Sequence, residues 1–280
     1  MKLDYTFHSH TFRCGHAIGD IEDYVSLAVK HGYKIYGVSD HVFLPGVNEP
    51  RVRGDYSLLD EYISEFYRVQ KKYEKDIKMY LGFECEYSDH FIDYYKSLLK
   101  DKGFDYLICG QHNGFDDSGN LYFYLLSNHE EELEAMKQYK IDLIKAMESG
   151  VFLYIAHPDF FYSVATSDGS YFQQMCKEII EAAIKYDAVF EINIHGLYRN
   201  HVRHGVSYIN YPCEYFWKEV AKTNIKVVLG GDYHNPNEIE DNTALNQINK
   251  MIKKYNIKIS DIKEVYKDYR KRIEYLCGIK

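Results

Sequence analysis

The strongest constraint in this chain is an alternation that runs from one end to the other. Short β-branched and aromatic runs give way to longer stretches whose apolar residues recur at helical spacing. Strands are expected near Asp4–Phe7, Lys34–Val38, Lys78–Phe83, Tyr106–Cys109, Phe152–Ala156, Val189–Ile194 and Lys226–Leu229. Helical patterns fall between them, at Ile21–Lys30, Leu58–Tyr73, Glu130–Ser149, Tyr171–Tyr186 and Tyr215–Lys222. Asp20 and Thr243 suit N-caps, and Gly32, Gly103 and Gly150 stand where helices should stop. This order is the signature of parallel strands joined by crossover helices. With 280 residues, 46% of them hydrophobic, no linker of Pro, Gly and Ser and no repeat of fixed period, it predicts one α/β barrel domain over residues 1–280. Phe43–Ser57, Asn113–Asn128, Ser163–Ser170 and His195–Pro212 read as long irregular segments, a length at which lids and substrate-binding loops are found.

The residues that follow each expected strand narrow the chemistry. After the first comes Phe7-His8-Ser9-His10-Thr11 and then His16; after the second, Ser39-Asp40-His41; after the third, Glu84. Gly110-Gln111-His112 follows the fourth, His157-Pro158-Asp159 the fifth and Gly230-Gly231-Asp232-Tyr233-His234 the last. In a parallel barrel all these ends open on one face, so side chains far apart in sequence converge there. Residues two apart on an extended segment point the same way, which lets His8 and His10, or Asp232 and His234, approach one ion or two adjacent ones. Imidazole and carboxylate suit zinc, manganese and iron. Any one of these histidines is more often a hydrogen-bonded structural residue; their coincidence at strand ends is what points to metal.

Charge and cysteine usage close off other classes. A net charge of −8 and a pI near 5.9 do not fit a general nucleic-acid surface, which needs a basic stripe. An acidic protein that handles phosphate must concentrate positive charge locally, and bound cations do so. The six cysteines (Cys14, Cys85, Cys109, Cys176, Cys213 and Cys277) form no C-x-x-C pair, so neither a zinc ribbon nor a disulfide framework is expected, and a reducing cytoplasm is the simpler setting. The amino terminus has no apolar export region, and no stretch approaches the roughly 20 apolar residues of a membrane span, so no membrane partner is expected. The 29 tyrosines and 15 phenylalanines are read as genomic base bias rather than as an aromatic binding platform.

The ordered series His-x-His with a further histidine, Ser-Asp-His, Gly-x-Glu, Gly-x-His, His-Pro and Gly-Asp-x-His resembles the PHP superfamily, named for polymerase and histidinol phosphatase, over nearly the whole chain. The length, His157-Pro158-Asp159, Glu191-Ile192-Asn193 followed by Gly196-Leu197, and Tyr211-Pro212 most resemble its histidinol-phosphate phosphatases. The resemblance implies a distorted (β/α)7 barrel of the PHP fold holding two to three divalent ions, zinc, manganese or iron. It places the first ion on His8, His10, Glu84 and Asp232. Glu84 would bridge to a second, held also by His112 and His157, and His16, His41 and His234 would hold the third. A degenerate, metal-free relative would have lost some of these positions, and all are filled here.

The expected reaction is hydrolysis of a small phosphorylated substrate, L-histidinol phosphate first, by in-line attack of a metal-bound hydroxide without a phosphorylated enzyme. Asp232, His234, Glu84, Asp40 and His195 are the candidate catalytic groups, with Asp40, His195 and a metal-bound water as candidate acids for the leaving alkoxide. The resemblance points to Arg199 as the phosphate clamp, although it stands one residue later after Gly196-Leu197 than relatives place theirs, and Phe160, Phe161 and Tyr162 occupy a stretch where relatives carry another basic residue. Arg13 and Arg53, and with less weight Arg51, Arg203 and His204, are the alternatives. Glu191 reads either as an outer carboxylate orienting a ligand or as a paired acid inside the barrel. Other readings are a PHP esterase for another phosphoester or nucleotide, a non-catalytic PHP metal-binding module, and metal-dependent C–N hydrolysis, which usually relies on a lysine where Glu84 stands.

Overall fold

The structure is a computed structural model describing residues 2–124, 129–167, 169–199, 202–203 and 205–279. Strands and helices alternate through its first part as β1 (Tyr5–Thr6), α1 (Ile21–Lys30), β2 (Ile35–Val38), α2 (Leu59–Lys72), β3 (Lys78–Cys85), α3 (Ile92–Asp101) and β4 (Tyr106–Cys109). A hairpin of β5 (Asn113–Phe115) and β6 (Leu121–Phe123) then precedes α4 (His129–Ser149) and α5 (Ser170–Lys185). β7 (Val189–Asn193) leads through a small ladder of β8 (Val202–Arg203) and β9 (Val206–Ser207) to α6 (Glu214–Val220), β10 (Lys226–Gly230), α7 (Thr243–Tyr255) and α8 (Ile262–Cys277). Local chemistry sets the boundaries. Asp20 and Asp23 form a reciprocal capping box at the start of α1, whose Ile21, Tyr24, Val25 and Ala28 make one buried face.

β1, β2, β3 and β4 form a parallel sheet in chain order, and β7 pairs in parallel with β10. The segment between these groups joins both. Leu153 and Ala156 donate to carbonyls of Leu107 and Cys109 in β4, at 2.7 and 2.8 Å. Ile155 donates to Val189 at 2.8 Å and accepts from Glu191 at 2.9 Å. On the far side the Asp232 amide donates to His8 (2.9 Å) and His10 donates to Tyr233 (2.8 Å), so the end of β10 returns to the chain after β1. The parallel sheet curls on itself, and the C-terminal ends of its strands meet.

Several expectations are corrected. The fifth expected strand, Phe152–Ala156, shrinks to a bridge at Ile155, with a bend at Leu153 before it and the backbone leaving the extended region at His157, φ 33°, after it. Thr243 is the first residue of α7 rather than its cap, which is Asn242. Asn113–Asn128, expected to be irregular, contains the β5–β6 hairpin, and residues 125–128 lie outside the described set.

The barrel interior is shaped by one tyrosine. The Tyr106 hydroxyl lies between the Phe7 and Val38 carbonyls, at 3.0 and 2.8 Å, and its ring packs edge-on to Phe7. Gly37 and Gly82 leave room for it: a Cβ at Gly82 would stand 2.4 Å from Tyr106 Cζ, and one at Gly37 would stand 2.5 Å from its hydroxyl. Overpacking of this kind is expensive because the interior is close-packed. Gly82→Ala is therefore expected to destabilise the fold by about 2 kcal/mol or more, lowering the urea midpoint followed by fluorescence of Trp217, the chain's one tryptophan. An unchanged midpoint would mean that the Tyr106 ring relocates at no cost.

Candidate metal centre

The residues that follow the strands gather at one end of the barrel. His8 Nε2 is 3.2 Å from Glu84 Oε1 and 3.4 Å from Asp232 Oδ1; His10 Nε2 is 3.4 Å from Glu84 Oε2 and 3.1 Å from Asp232 Oδ1. His157 Nε2 and His112 Nε2 approach Glu84 Oε1 to 3.1 and 3.6 Å, and His41 Nδ1 lies 3.2 Å from Glu84 Oε2. His16 and His234 face one another through their Nε2 atoms at 3.1 Å. Ligand atoms arranged tetrahedrally at about 2.1 Å from an ion stand roughly 3.4 Å apart, so these spacings fit shared coordination.

Burial sharpens the fit. His8, His10 and His157 are fully buried and Glu84 is 1% exposed, yet His8 Nε2, His10 Nε2, His41 Nδ1 and Glu84 Oε2 make no hydrogen bond among the described residues. Buried polar atoms are ordinarily partnered, and orphaned ones converging on a common point suit a cation. Sets of three donors lie mutually within 4.8 Å, among them His8, His10 and Glu84; His41, Glu84 and His112; and His10, His41 and His234. Cys14 joins His10 and Asp40 in a further set, but burial pushes its thiol up to about 12, which keeps it protonated and a poor ligand.

Protonation follows the same geometry. Burial works to raise Glu84 and Asp232, but the imidazoles around them outweigh it and hold both well below the usual carboxylate range. Burial lowers His41, His234, His16 and His157, leaving neutral nitrogen for coordination. His8 and His10 go the other way. Burial opposes their charge, but Glu191, Asp232 and Glu84 raise His8 well above its ordinary value, and Asp232, Asp40 and Glu84 raise His10 to about 9.

A surrounding layer fixes the rings. Glu191 accepts from His8 Nδ1 at 2.8 Å, and its other oxygen accepts from Asn193 at 2.8 Å. Glu86 lies 3.6 Å from His112 Nδ1 and is paired with Arg53 at 3.1 Å. Two glycines make space for the acids: a Cβ at Gly110 would meet Glu84 Oε1 at 1.8 Å, and one at Gly230 would meet the Glu191 carboxyl carbon at 2.2 Å. Asp232 (φ 53°) and His157 (φ 33°) hold positive φ without being glycine, a strain that often marks functional positions.

Three sequence expectations need correction. Arg13 does not face the centre: it forms a buried fork between Asp20 (2.6 Å) and Glu61 (2.7 Å), so it clamps α1 to α2 rather than a phosphate. Arg53 is likewise consumed, by Glu49 at 2.7 Å, Glu86 and the Val42 carbonyl at 3.1 Å. Asp40 is fully buried; it accepts from the Thr11 hydroxyl and amide and from the His41 amide, and lies 3.7 Å from His10 Nδ1. It stands behind His10 and is not among the residues that line the cleft.

Above these donors opens a cleft of about 460 Å³. Arg199 lines it, exposed, with its guanidinium 6.0 Å from the Phe160 ring centroid and 3.3 Å from the Tyr211 hydroxyl. Arg51 lines the same cleft, as do Asn113 and Phe123 of the β5–β6 hairpin, which the sequence pattern did not single out. His195 lines the cleft with its ring 4.7 Å from that of His234, and its Nδ1 is 3.8 Å from Glu238, whose other oxygen accepts the His234 amide at 2.8 Å. Glu86 and Glu238 were missed; the only signal for either is an acid two residues after Glu84 and four after His234. Arg203 belongs to β8, and His204 lies outside the described residues.

The PHP domain family matches residues 6–195. A probable histidinol-phosphatase of Schizosaccharomyces pombe is 23% identical, over 83% of this chain and 81% of the relative; one of Deinococcus radiodurans is 25% identical, over 83% and 86%. Among solved structures, histidinol phosphate phosphatase of Lactococcus lactis, complexed with zinc, L-histidinol and phosphate, superposes with a TM-score of 0.66 at 19% identity, covering 92% of this chain and 95% of that one.

Because His8 and His10 hold protons near neutrality, a cation that takes their Nε2 atoms must displace them. Zinc binding to metal-stripped protein at pH 7 is expected to release protons, seen as a calorimetric heat that varies with the ionisation enthalpy of the buffer. The release should shrink as pH rises through about 9, the value for His10. A heat independent of buffer would contradict coordination by these imidazoles.

Proposed function

Because the chain belongs to the PHP domain family, we propose that it is a metal-dependent phosphomonoester hydrolase converting L-histidinol phosphate and water to L-histidinol and phosphate. The observation that carries the reading is the convergence of unpartnered, buried imidazole and carboxylate atoms beneath a cleft with Arg199, which pairs with no carboxylate among the described residues, at its wall. The histidinol-phosphatase relatives support the substrate. His8, His10, Glu84 and Asp232 would hold one ion, Glu84 with His112 and His157 a second, and His16, His41 and His234 a third. Divalent ions there, zinc, manganese or iron, supply a nucleophile from water at neutral pH and offset charge on the phosphoryl oxygens.

The protein's own groups do the rest. Arg199 presents a planar, permanently charged fork to the phosphoryl oxygens, and Phe160 and Tyr211 support it from below. His195 is the candidate acid for the leaving alkoxide, since it lines the cleft, with the Glu238 carboxylate 3.8 Å from its Nδ1. Glu191 holds His8 in place through the hydrogen bond to its Nδ1, and Asp40 and Glu86 set the charge around His10 and His112 from 3.7 and 3.6 Å.

We read residues 1–280 as one functional unit acting on a free small substrate in the cytoplasm. The six cysteines are unpaired and buried, which suits a reducing compartment. Among the described residues no helix is long and apolar enough to cross a membrane.

The test is turnover of L-histidinol phosphate by metal-loaded protein beside a panel of nucleoside monophosphates, sugar phosphates and phosphodiesters. Histidinol phosphate is expected to have the highest kcat/KM; a nucleotide or diester ahead of it would transfer the assignment to that substrate. Arg199→Ala should lower kcat/KM by about 100-fold, chiefly through KM, as loss of a charge-assisted phosphate contact does. Asp232→Asn should cut kcat by orders of magnitude in protein that still folds, and should lower the urea midpoint of the metal-stripped form, because it leaves the buried, protonated His8 and His10 without one of their carboxylates. Near-normal turnover in Asp232→Asn would remove that carboxylate from the scheme.

A further inference from the structure

The opposite end of the barrel carries a second cavity, about 580 Å³, between the starts of β2 and β3 and the face of α8. Its lining is basic. Lys34 and Lys78 enter from neighbouring strands, tied by a Lys78 amide to Lys34 carbonyl bond of 3.1 Å, and Lys263, Lys267, Arg270 and Lys271 enter from α8. The α8 positions follow the three-and-four spacing of one helix face, so the fold aims these cations into a single space.

Little neutralises them. Among the described residues no carboxylate pairs with Lys34, Lys263 or Lys271; Lys267 reaches Glu264 at 3.4 Å, and Arg270 donates to the Asp105 carbonyl at 2.9 Å. Glu274 is the one acid in the lining. In a chain of net charge −8, a concave surface with this excess of cations is a local reversal of sign, and a concave wall focuses the field of like charges. The floor is aromatic: the Tyr80 and Tyr266 rings lie 4.4 Å apart, and Lys78 sits over Tyr80 at 5.0 Å. Like charges held this close repel, and a multiply charged anion relieves the repulsion.

We propose that this cavity is a binding site for a small polyphosphate, borne on a nucleotide or free. Its volume suits one small ligand rather than a nucleic-acid strand, which needs a long basic track. Among the described residues its lining holds no cluster of metal ligands, so we assign it binding and not hydrolysis. The strand starts that form it continue through β2 and β3 to Asp40, His41 and Glu84, so occupancy is in direct structural continuity with the metal centre.

The test is hydrogen–deuterium exchange on metal-loaded, full-length protein with inorganic tripolyphosphate and, separately, with the magnesium complex of adenosine 5′-(β,γ-imido)triphosphate. Either probe is expected to slow exchange in 262–277 and at the starts of β2 and β3. Tripolyphosphate alone sufficing identifies a free polyphosphate, and a preference for the nucleotide assigns Tyr80 and Tyr266 a stacking role. Lys263→Ala with Lys271→Ala should weaken binding by about tenfold or more, the scale of a 1.4 kcal/mol loss, while histidinol phosphate turnover without the probe stays unchanged. Protection confined to the catalytic cleft, no protection at all, or tighter binding of a single-stranded oligonucleotide than of either probe would overturn the proposal.

Discussion

Burying Glu84 is the constraint on which the structure depends. A carboxylate with 1% of its surface exposed is unfavourable unless positive charge or hydrogen-bond donors surround it. Here the compensation comes from imidazoles on different strand ends: His8, His10, His41, His112 and His157 all place a nitrogen within 3.6 Å of its oxygens. None of those residues is near Glu84 in sequence. Only a sheet that brings successive strand ends to a common point satisfies the acid, so the requirement of one side chain and the topology of the whole chain are the same requirement.

The surrounding layer follows from that. Behind the imidazoles that face Glu84 stand further acids: Glu191 accepts from His8 Nδ1 at 2.8 Å, and Asp40 and Glu86 lie beyond hydrogen-bond reach as charged neighbours, 3.7 Å from His10 Nδ1 and 3.6 Å from His112 Nδ1. Those acids need partners in turn. Arg53 answers Glu86, Asn193 answers Glu191, and Thr11 answers Asp40. Arg53 also grips Glu49 and the Val42 carbonyl, so the segment that carries Arg51 to the cleft is anchored to the same charge network that orients His112. The wall of the cleft and the geometry of its floor are thus linked through buried ion pairs.

This layering explains what could be read from the sequence. Residues at strand ends were legible because strand position and side-chain chemistry are both local properties, and a parallel barrel turns position into proximity. His8, His41, Glu84, His112, His157 and Asp232 needed nothing else. Arginines were not legible, because a guanidinium in a loop looks the same whether it meets a substrate or a carboxylate on another helix. Arg13 is taken by Asp20 and by Glu61, forty-eight positions away, and no local pattern announces that pairing. Asp40 sits in a motif that suggests chemistry, yet the Thr11 hydroxyl removes it from the cleft, a contact between segments that the sequence leaves independent. Ile155 is a single bridge between a bend at Leu153 and the turn at His157, and no glycine or proline within Phe152–Ala156 marks either break in the sequence.

Tyrosine abundance takes on a structural meaning in the same light. Short strands such as β1 and a fifth segment reduced to one bridge leave many backbone groups without a ladder partner, and a buried orphan of this kind costs about 1–3 kcal/mol. Tyrosine hydroxyls fill the gaps. Tyr5 accepts from the Leu229 amide, Tyr62 donates to the Gly82 carbonyl, Tyr95 to Glu86, and Tyr269 accepts from Leu107 while donating to Val151. Phenylalanine would pack as well but leave those groups unpaired. Base composition accounts for a supply of tyrosine codons, but it does not account for hydroxyls that end on strand backbone at the irregular points of the barrel. A barrel with long, regular strands would not need them; one bent to converge its strand ends on a buried acid does.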